Sequence, residues 1–85
     1  MYEIYCKIGD KVRFVSMVNT KDEVLKCYKK EIKYDKESEK MITDLVPGAI
    51  SSIKREIIGD KLIITATDGD GTVSTAEYYA VEVKE

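Results

Sequence analysis

Apolar and polar residues alternate from Tyr2 to Ile8, with Tyr2, Ile4, Cys6 and Ile8 in one phase and Glu3, Tyr5 and Lys7 in the other. Successive side chains of an extended chain point to opposite faces, so this run predicts a strand with one buried face. Gly9-Asp10 supplies turn chemistry, and alternation resumes from Lys11 to Val18, which predicts a β-hairpin. A two-residue loop would set Ile8 against Lys11 and Cys6 against Arg13, mixing apolar and charged side chains on one face. A loop one residue longer sets Ile8 against Val12, Cys6 against Phe14 and Tyr2 against Val18. That coherent apolar face is the expected register.

The pattern then changes period. Thr20 followed by Glu23 forms a capping box, in which each side chain accepts from the other residue's backbone amide, so a helix is predicted from Lys21. At roughly 100° per residue, Val24, Leu25, Tyr28 and Ile32 share one arc, while Lys26, Lys29, Lys30 and Lys33 share the opposite one. The amphipathic helix is expected to end near Tyr34 or Asp35. After polar Lys36 to Lys40, Met41, Ile42, Leu45 and Val46 predict one or two further helical turns before Pro47-Gly48. Whether these join the first helix is left open by the pattern.

Residues 49–58 fit either a helix closed by Gly59 or a strand, and the isoleucine run before Gly59-Asp60 favours a second hairpin, from about Ile53. Ile58-Gly59-Asp60-Lys61 echoes Ile8-Gly9-Asp10-Lys11, as expected of two turns meeting the same conformational demand. Leu62 to Thr67 reads as the next strand. Residues 75–84 have both strand alternation and a helical spacing of Ala76, Tyr79, Ala80 and Val83, and the tyrosine and valine density favours the strand. The predicted fold is a single α+β domain over residues 1–85. It comprises an antiparallel sheet of about five strands, in the order ββα(α)βββ, with the amphipathic helix packed on one face.

Composition narrows the functional classes. A net charge of −2 and 44% hydrophobic residues describe a folded domain with no global attraction to nucleic acid or anionic lipid. No apolar run is long enough for a membrane span, and the N-terminus lacks a secretory pattern, so a cytoplasmic location is expected, with no membrane partner. Cys6 and Cys27 lack metal-ligand spacing and are expected to serve as reduced, small apolar residues. Histidine is absent, which removes the usual general base and nitrogen ligand. No cofactor is expected. Arg13 and Arg55 are the two arginines among 14 basic residues, a lysine bias suggestive of a bacterial or phage genome.

One segment carries a motif. With Gly71 at position 6 of a calcium loop, Asp68, Asp70, Thr72, Ser74 and Glu77 occupy positions 3, 5, 7, 9 and 12, so residues 66–77 resemble the later part of an EF-hand. Position 1 is Ala66, which offers no ligand, and Lys61 to Thr67 has strand composition where an EF-hand has a helix. A Gly/Asp turn between two strands is therefore the expected reading, with calcium binding as the alternative.

Lys26, Lys29, Lys30 and Lys33, together with Tyr78, are the candidate partner-binding residues; Tyr5 and Tyr79 are further tyrosines that could leave the sheet. Carboxylates outnumber lysines after Asp60, where Asp68, Asp70, Glu77, Glu82 and Glu85 face Lys61 and Lys84. A basic helix and an acidic sheet end suit docking to another protein or to a second copy. The last strand could also offer a free edge. The expected function is a non-catalytic protein-interaction module, an inhibitor or adaptor with homodimerisation as one route. The alternatives are the weak calcium domain and a small enzyme subunit working through carboxylates.

Overall fold

The computed structural model describes residues 1–84 and shows the expected α+β architecture. Glu85, one of the carboxylates of the C-terminal third, lies outside the described residues. Strands β1 (Tyr2–Ile8) and β2 (Lys11–Val18) lead into helix α1 (Lys21–Leu45), followed by β3 (Ile50–Ile58), β4 (Lys61–Asp68) and β5 (Val73–Glu82). The sheet order is β2-β1-β5-β4-β3, and every neighbouring pair is antiparallel.

The first hairpin differs from the expected register. Ile8 faces Lys11 and Cys6 faces Arg13 across a tight Gly9-Asp10 turn, while Tyr2 still faces Val18. The extra residue is absorbed by a bulge inside β2, opposite Ile4 and Tyr5, and not by the loop. Glycine first, with φ 62°, suits a two-residue hairpin turn, and Gly59 repeats the geometry at φ 62° between β3 and β4. Moving the bulge into the strand switches the phase of β2 midway: Phe14 pairs with Tyr5 on the face away from the helix, and Val15 packs against the core.

Helix α1 begins where the capping box places it, with the Thr20 hydroxyl accepting from the Glu23 amide at 3.2 Å. It does not end at Tyr34 or Asp35 as expected but runs without a break to Leu45, so the two helical segments are one. The polar stretch stays helical because its sheet-facing positions are ionic. Asp35 and Glu39, one turn apart, receive Arg55 of β3 at 2.8 and 2.7 Å. Burial disfavours the Arg55 charge, but the hydrogen bonds it donates to Glu39 and Asp35 outweigh it and raise its pKa overall.

Residues 50–58 form a strand, resolving that ambiguity, and it begins at Ile50, ahead of Ile53. Residues 73–82 are likewise strand, but β5 sits in the sheet interior between β1 and β4. The free edges belong to β2 and β3.

The core lies between α1 and one sheet face. Ile4, Cys6, Val24, Tyr28, Leu62, Ile64 and Tyr78 are buried there. Tyr28 and Tyr78 meet edge to face, ring centres 6.4 Å apart, and the Tyr28 hydroxyl donates to the Asp60 carbonyl at 2.6 Å. At the far end, the Gly69 amide donates to Ala49, and a Cβ on Gly69 would collide with the Gly48 carbonyl oxygen. These two turns pack backbone to backbone.

Two predictions follow from this packing. Thr20→Ala removes the acceptor for the Glu23 amide, so denaturant melts are expected to show a loss of about 1 kcal/mol. Alkali should also weaken the fold. Burial, then the Asp60 and Cys27 charges, push Tyr28 up to about 12, and burial, Cys6 and Glu31 also raise Tyr78. The unfolded chain loses these protons near the ordinary value of 10.0. The tyrosine contribution is therefore intact below pH 10 and lost as pH rises through the folded value. Urea midpoints measured from about pH 9 to pH 12 should fall above 10, and less steeply in Tyr28→Phe.

Candidate functional site

The side chains that alternate away from the core form a second surface with no helix over it among the described residues. Cross-strand pairing places Tyr79 of β5 beside Tyr5 of β1, and Tyr5 beside Phe14 of β2. The three rings make a continuous row. Tyr5 stacks on Tyr79 with centres 5.7 Å apart and planes 23° apart, and meets Phe14 edge-on at 5.9 Å and 76°. The Tyr5 hydroxyl donates to the Glu3 carboxylate on the same strand, which, with a smaller desolvation effect, raises the tyrosine pKa. That bond fixes the direction of the central ring.

Further apolar side chains surround the row. Val81 and Met17 flank Glu3 in one neighbouring register position, and Val12 pairs with Lys7 in the other. Phe14 is 53% exposed, and Val12, Met17 and Val81 are also exposed. On the β4 and β3 side, the same face carries Ile63, Thr65, Glu56 and Lys54. Its charges are matched within the chain: Lys61 reaches Glu77 at 3.0 Å and Lys54 reaches Glu56 at 2.9 Å. A surface combining aromatic rings and exposed aliphatic groups with two ion pairs closed within the chain can bury area against an apolar partner at its aromatic centre, leaving Glu3 bonded to Tyr5 and Lys7 at its margin.

The residues expected to bind a partner occupy different places. Tyr78 is 7% exposed and packs in the core against Tyr28, so it offers no contact surface. Its neighbour Tyr79 points outward instead. Lys26, Lys29, Lys30 and Lys33 are exposed on α1, with the Lys30 ammonium 5.9 Å from the Tyr34 ring centre. The helix lies between the lysines and the sheet, so they and the aromatic row occupy opposite surfaces. The carboxylates of the C-terminal third are also divided. Asp60 and Glu82 line a groove beside the helix N-terminus with Lys21, whereas Asp68 and Asp70 lie at the other end of β4. That strand is about 26 Å long at the usual rise.

The segment 66–77 forms a turn closed by its own backbone. One Asp68 carboxylate oxygen accepts from the Asp70 and Thr72 amides at 3.1 and 2.9 Å, and Asp70 accepts from the Thr72 amide at 2.9 Å. The Asp68 carboxyl, the Thr72 hydroxyl and the Thr72 amide hold Asp70 down to about 2. Ser74 pairs with Ala66 on the helix-facing side. Glu77, five residues along β5 from Thr72, lies about 16 Å up the strand and pairs with Lys61. The sequence order of an EF-hand is thus spread along a hairpin. Among the described residues, no group of three or more potential ligands converges. Cys6 is buried and Cys27 half-buried, and burial raises the Cys27 pKa, as does Glu31.

Phe14, Val12, Met17 and Val81 are the surface residues that pattern reasoning missed. The available signal was the apolar pair Phe14-Val15, where the alternation changes phase. For β5 it was the unbroken run Tyr78-Tyr79-Ala80-Val81, apolar on both faces. Comparison with family models, curated proteins and solved structures finds no match to this chain.

Because Asp68 is occupied by backbone amides and Glu77 by Lys61, calorimetric titration with calcium at neutral pH is expected to give no heat of binding. Micromolar binding abolished by Glu77→Gln would show that the turn rearranges around the ion.

Proposed function

We propose that this chain is a small, non-catalytic, intracellular protein-interaction module of the inhibitor or adaptor kind, and that it meets its partner with the bare sheet face. The observation that carries this reading is the row Tyr79–Tyr5–Phe14, with its exposed aliphatic surround, on the side of the sheet opposite α1. Half-exposed Tyr5 and Tyr79 beside exposed Phe14 on a strand scaffold give contact area for little conformational entropy, as aromatic residues at interface centres do. A fully solvated surface gains nothing from grouping its apolar residues in this way.

Charge supports a protein over a nucleic acid. Phosphate recognition draws on arginine forks and a surplus of positive charge, whereas the bare face carries Glu3, Glu56 and Glu77 against Lys7, Lys54 and Lys61. Both arginines belong to the other side: Arg13 pairs with Cys6, and Arg55 is held by Asp35 and Glu39. Among the described residues, no helix is long and apolar enough to cross a membrane.

The test is capture from extracts of the native cell with wild type, Phe14→Asp and Lys26→Glu/Lys30→Glu as bait. A specific partner should be held by wild type and by the lysine double variant, and lost with Phe14→Asp. Loss with the lysine variant alone would move the binding surface to the helix.

A further inference from the structure

We infer that the bare sheet face takes a second copy of this chain, packed face to face about a twofold axis. This rests on the reading above that the face is a protein-docking surface, and it adds the identity of the occupant. A twofold interface sets a surface against itself, so any net charge on it is doubled and repels. This face carries three carboxylates, Glu3, Glu56 and Glu77, and three ammonium groups, Lys7, Lys54 and Lys61. Two opposite-charge pairs among them are already closed within the chain. The sum is zero, and the face makes no electrostatic demand that a second copy cannot meet. The lysine surface of α1 fails the same test, because Lys26, Lys29, Lys30 and Lys33 would meet their own images.

The sheet face is also large enough for a dimer. Five strands at about 4.8 Å spacing and some seven residues at about 3.3 Å make a footprint of roughly 550 Å², or about 1,100 Å² for two copies. This reaches the lower limit of specific interfaces, about 1,000 to 1,200 Å². Two twisted sheets stacked about 10 Å apart interdigitate their side chains in the aligned sandwich arrangement. Phe14, Met17, Val12 and Val81, standing proud of the sheet, are the groups that would fill that layer.

The edges offer a poorer route to self-association. β2 is interrupted by its bulge opposite Ile4 and Tyr5, and β3 carries Lys54, Arg55 and Glu56 in its middle. Both are devices that hinder strand-to-strand pairing. The end of α1 is the competing apolar surface, since Met41, Ile42, Leu45 and Val46 are exposed there, Leu45 at 77%. It is a narrow strip on one helix, and it lacks the aromatic rings and the area of the sheet face.

Sedimentation equilibrium over a wide concentration range, at low and high salt, tests the inference on wild type, Phe14→Asp, Met17→Lys and Leu45→Glu. Circular dichroism of each variant establishes that it is folded. Wild type should be a concentration-dependent dimer whose affinity is little changed by salt, as for an apolar contact. Phe14→Asp and, independently, Met17→Lys should weaken the dimer by about thirtyfold or more, the range of a central interface residue. Leu45→Glu should leave it unchanged. A wild-type monomer at every concentration would overturn the inference, as would a dimer indifferent to both face variants or one lost with Leu45→Glu. Single-stranded DNA or RNA that bound wild type, failed to bind Phe14→Asp and dissociated the dimer would also overturn it, by making the row a stacking platform for bases. If wild type is monomeric but captures a different protein through Phe14, the self-pairing fails and the docking surface stands. If it is monomeric and captures nothing, both fail.

Discussion

One helix has to serve as the apolar cover for five strands. A helix with its side chains is about 10 Å across, while five strands span about 24 Å, so α1 can cover no more than about half the width of one face. This explains why the buried set is small and centred on β1, β4 and β5, where α1 lays Val24 and Tyr28 against Ile4, Leu62 and Tyr78. It also explains the use of tyrosine in so thin a core. The ring supplies apolar area, and the hydroxyl reaches the rim, where Tyr28 finds the Asp60 carbonyl and Tyr78 approaches Glu31 at 3.4 Å. Among the described residues, no second helix covers the other sheet face.

The same shortage governs the second half of α1. A 25-residue helix is about 37 Å long, which outruns the apolar stripe available to hold it. Beyond Ile32 its sheet-facing positions are Asp35 and Glu39, and Arg55 joins both to β3. Arg55 is largely buried, at 12% side-chain exposure, while its partners are about one-third exposed. The arrangement therefore combines a desolvated cation with carboxylates that keep part of their hydration. Removing either carboxylate alone would leave the guanidinium with one ionic partner, and removing both would leave a partly buried cation with none. The bridge holds the helix to the sheet edge, while Met41 to Val46, past it, remain exposed.

Much of the fold was legible because its determinants are local. The Gly-Asp turns, the capping box at Thr20 and the alternation in β1 each involve residues within a few positions of one another, and strand and helix periods differ enough to be told apart. Two features were illegible for a common reason. The continuity of α1 through Lys36 to Lys40 depends on Arg55, far along the chain, and the phase of β2 depends on which of two positions accommodates one surplus residue. Loop and in-strand bulge both bring Tyr2 opposite Val18, so the register at the open end of the hairpin cannot discriminate between them. The choice matters for function, since it alone decides whether Phe14 enters the core or joins Tyr5 outside. Tyr78 and Tyr79 show the same limit. Adjacent tyrosines on an interior strand must point opposite ways, and only the location of α1 decides which one is buried.

The distribution of protection around the sheet bears on what its surfaces are for. Exposed edges promote uncontrolled strand addition, and here each edge carries a countermeasure, the bulge on β2 and the charged centre of β3. The outer surface of α1 carries Lys26, Lys29, Lys30 and Lys33, which keep that stretch hydrated and mutually repulsive between copies. The bare sheet face is treated differently. Its apolar residues include long and aromatic side chains in adjacent register positions, where threonine or lysine would serve a solvated strand equally well by backbone preference. Their proximity creates a continuous apolar patch whose exposure costs free energy, and nothing in the chain's own fold recovers it. Shielded edges and a largely charged helix leave two exposed apolar surfaces, the electrically neutral sheet face and the strip from Met41 to Val46 at the end of α1, and of these the aromatic rings are on the sheet face.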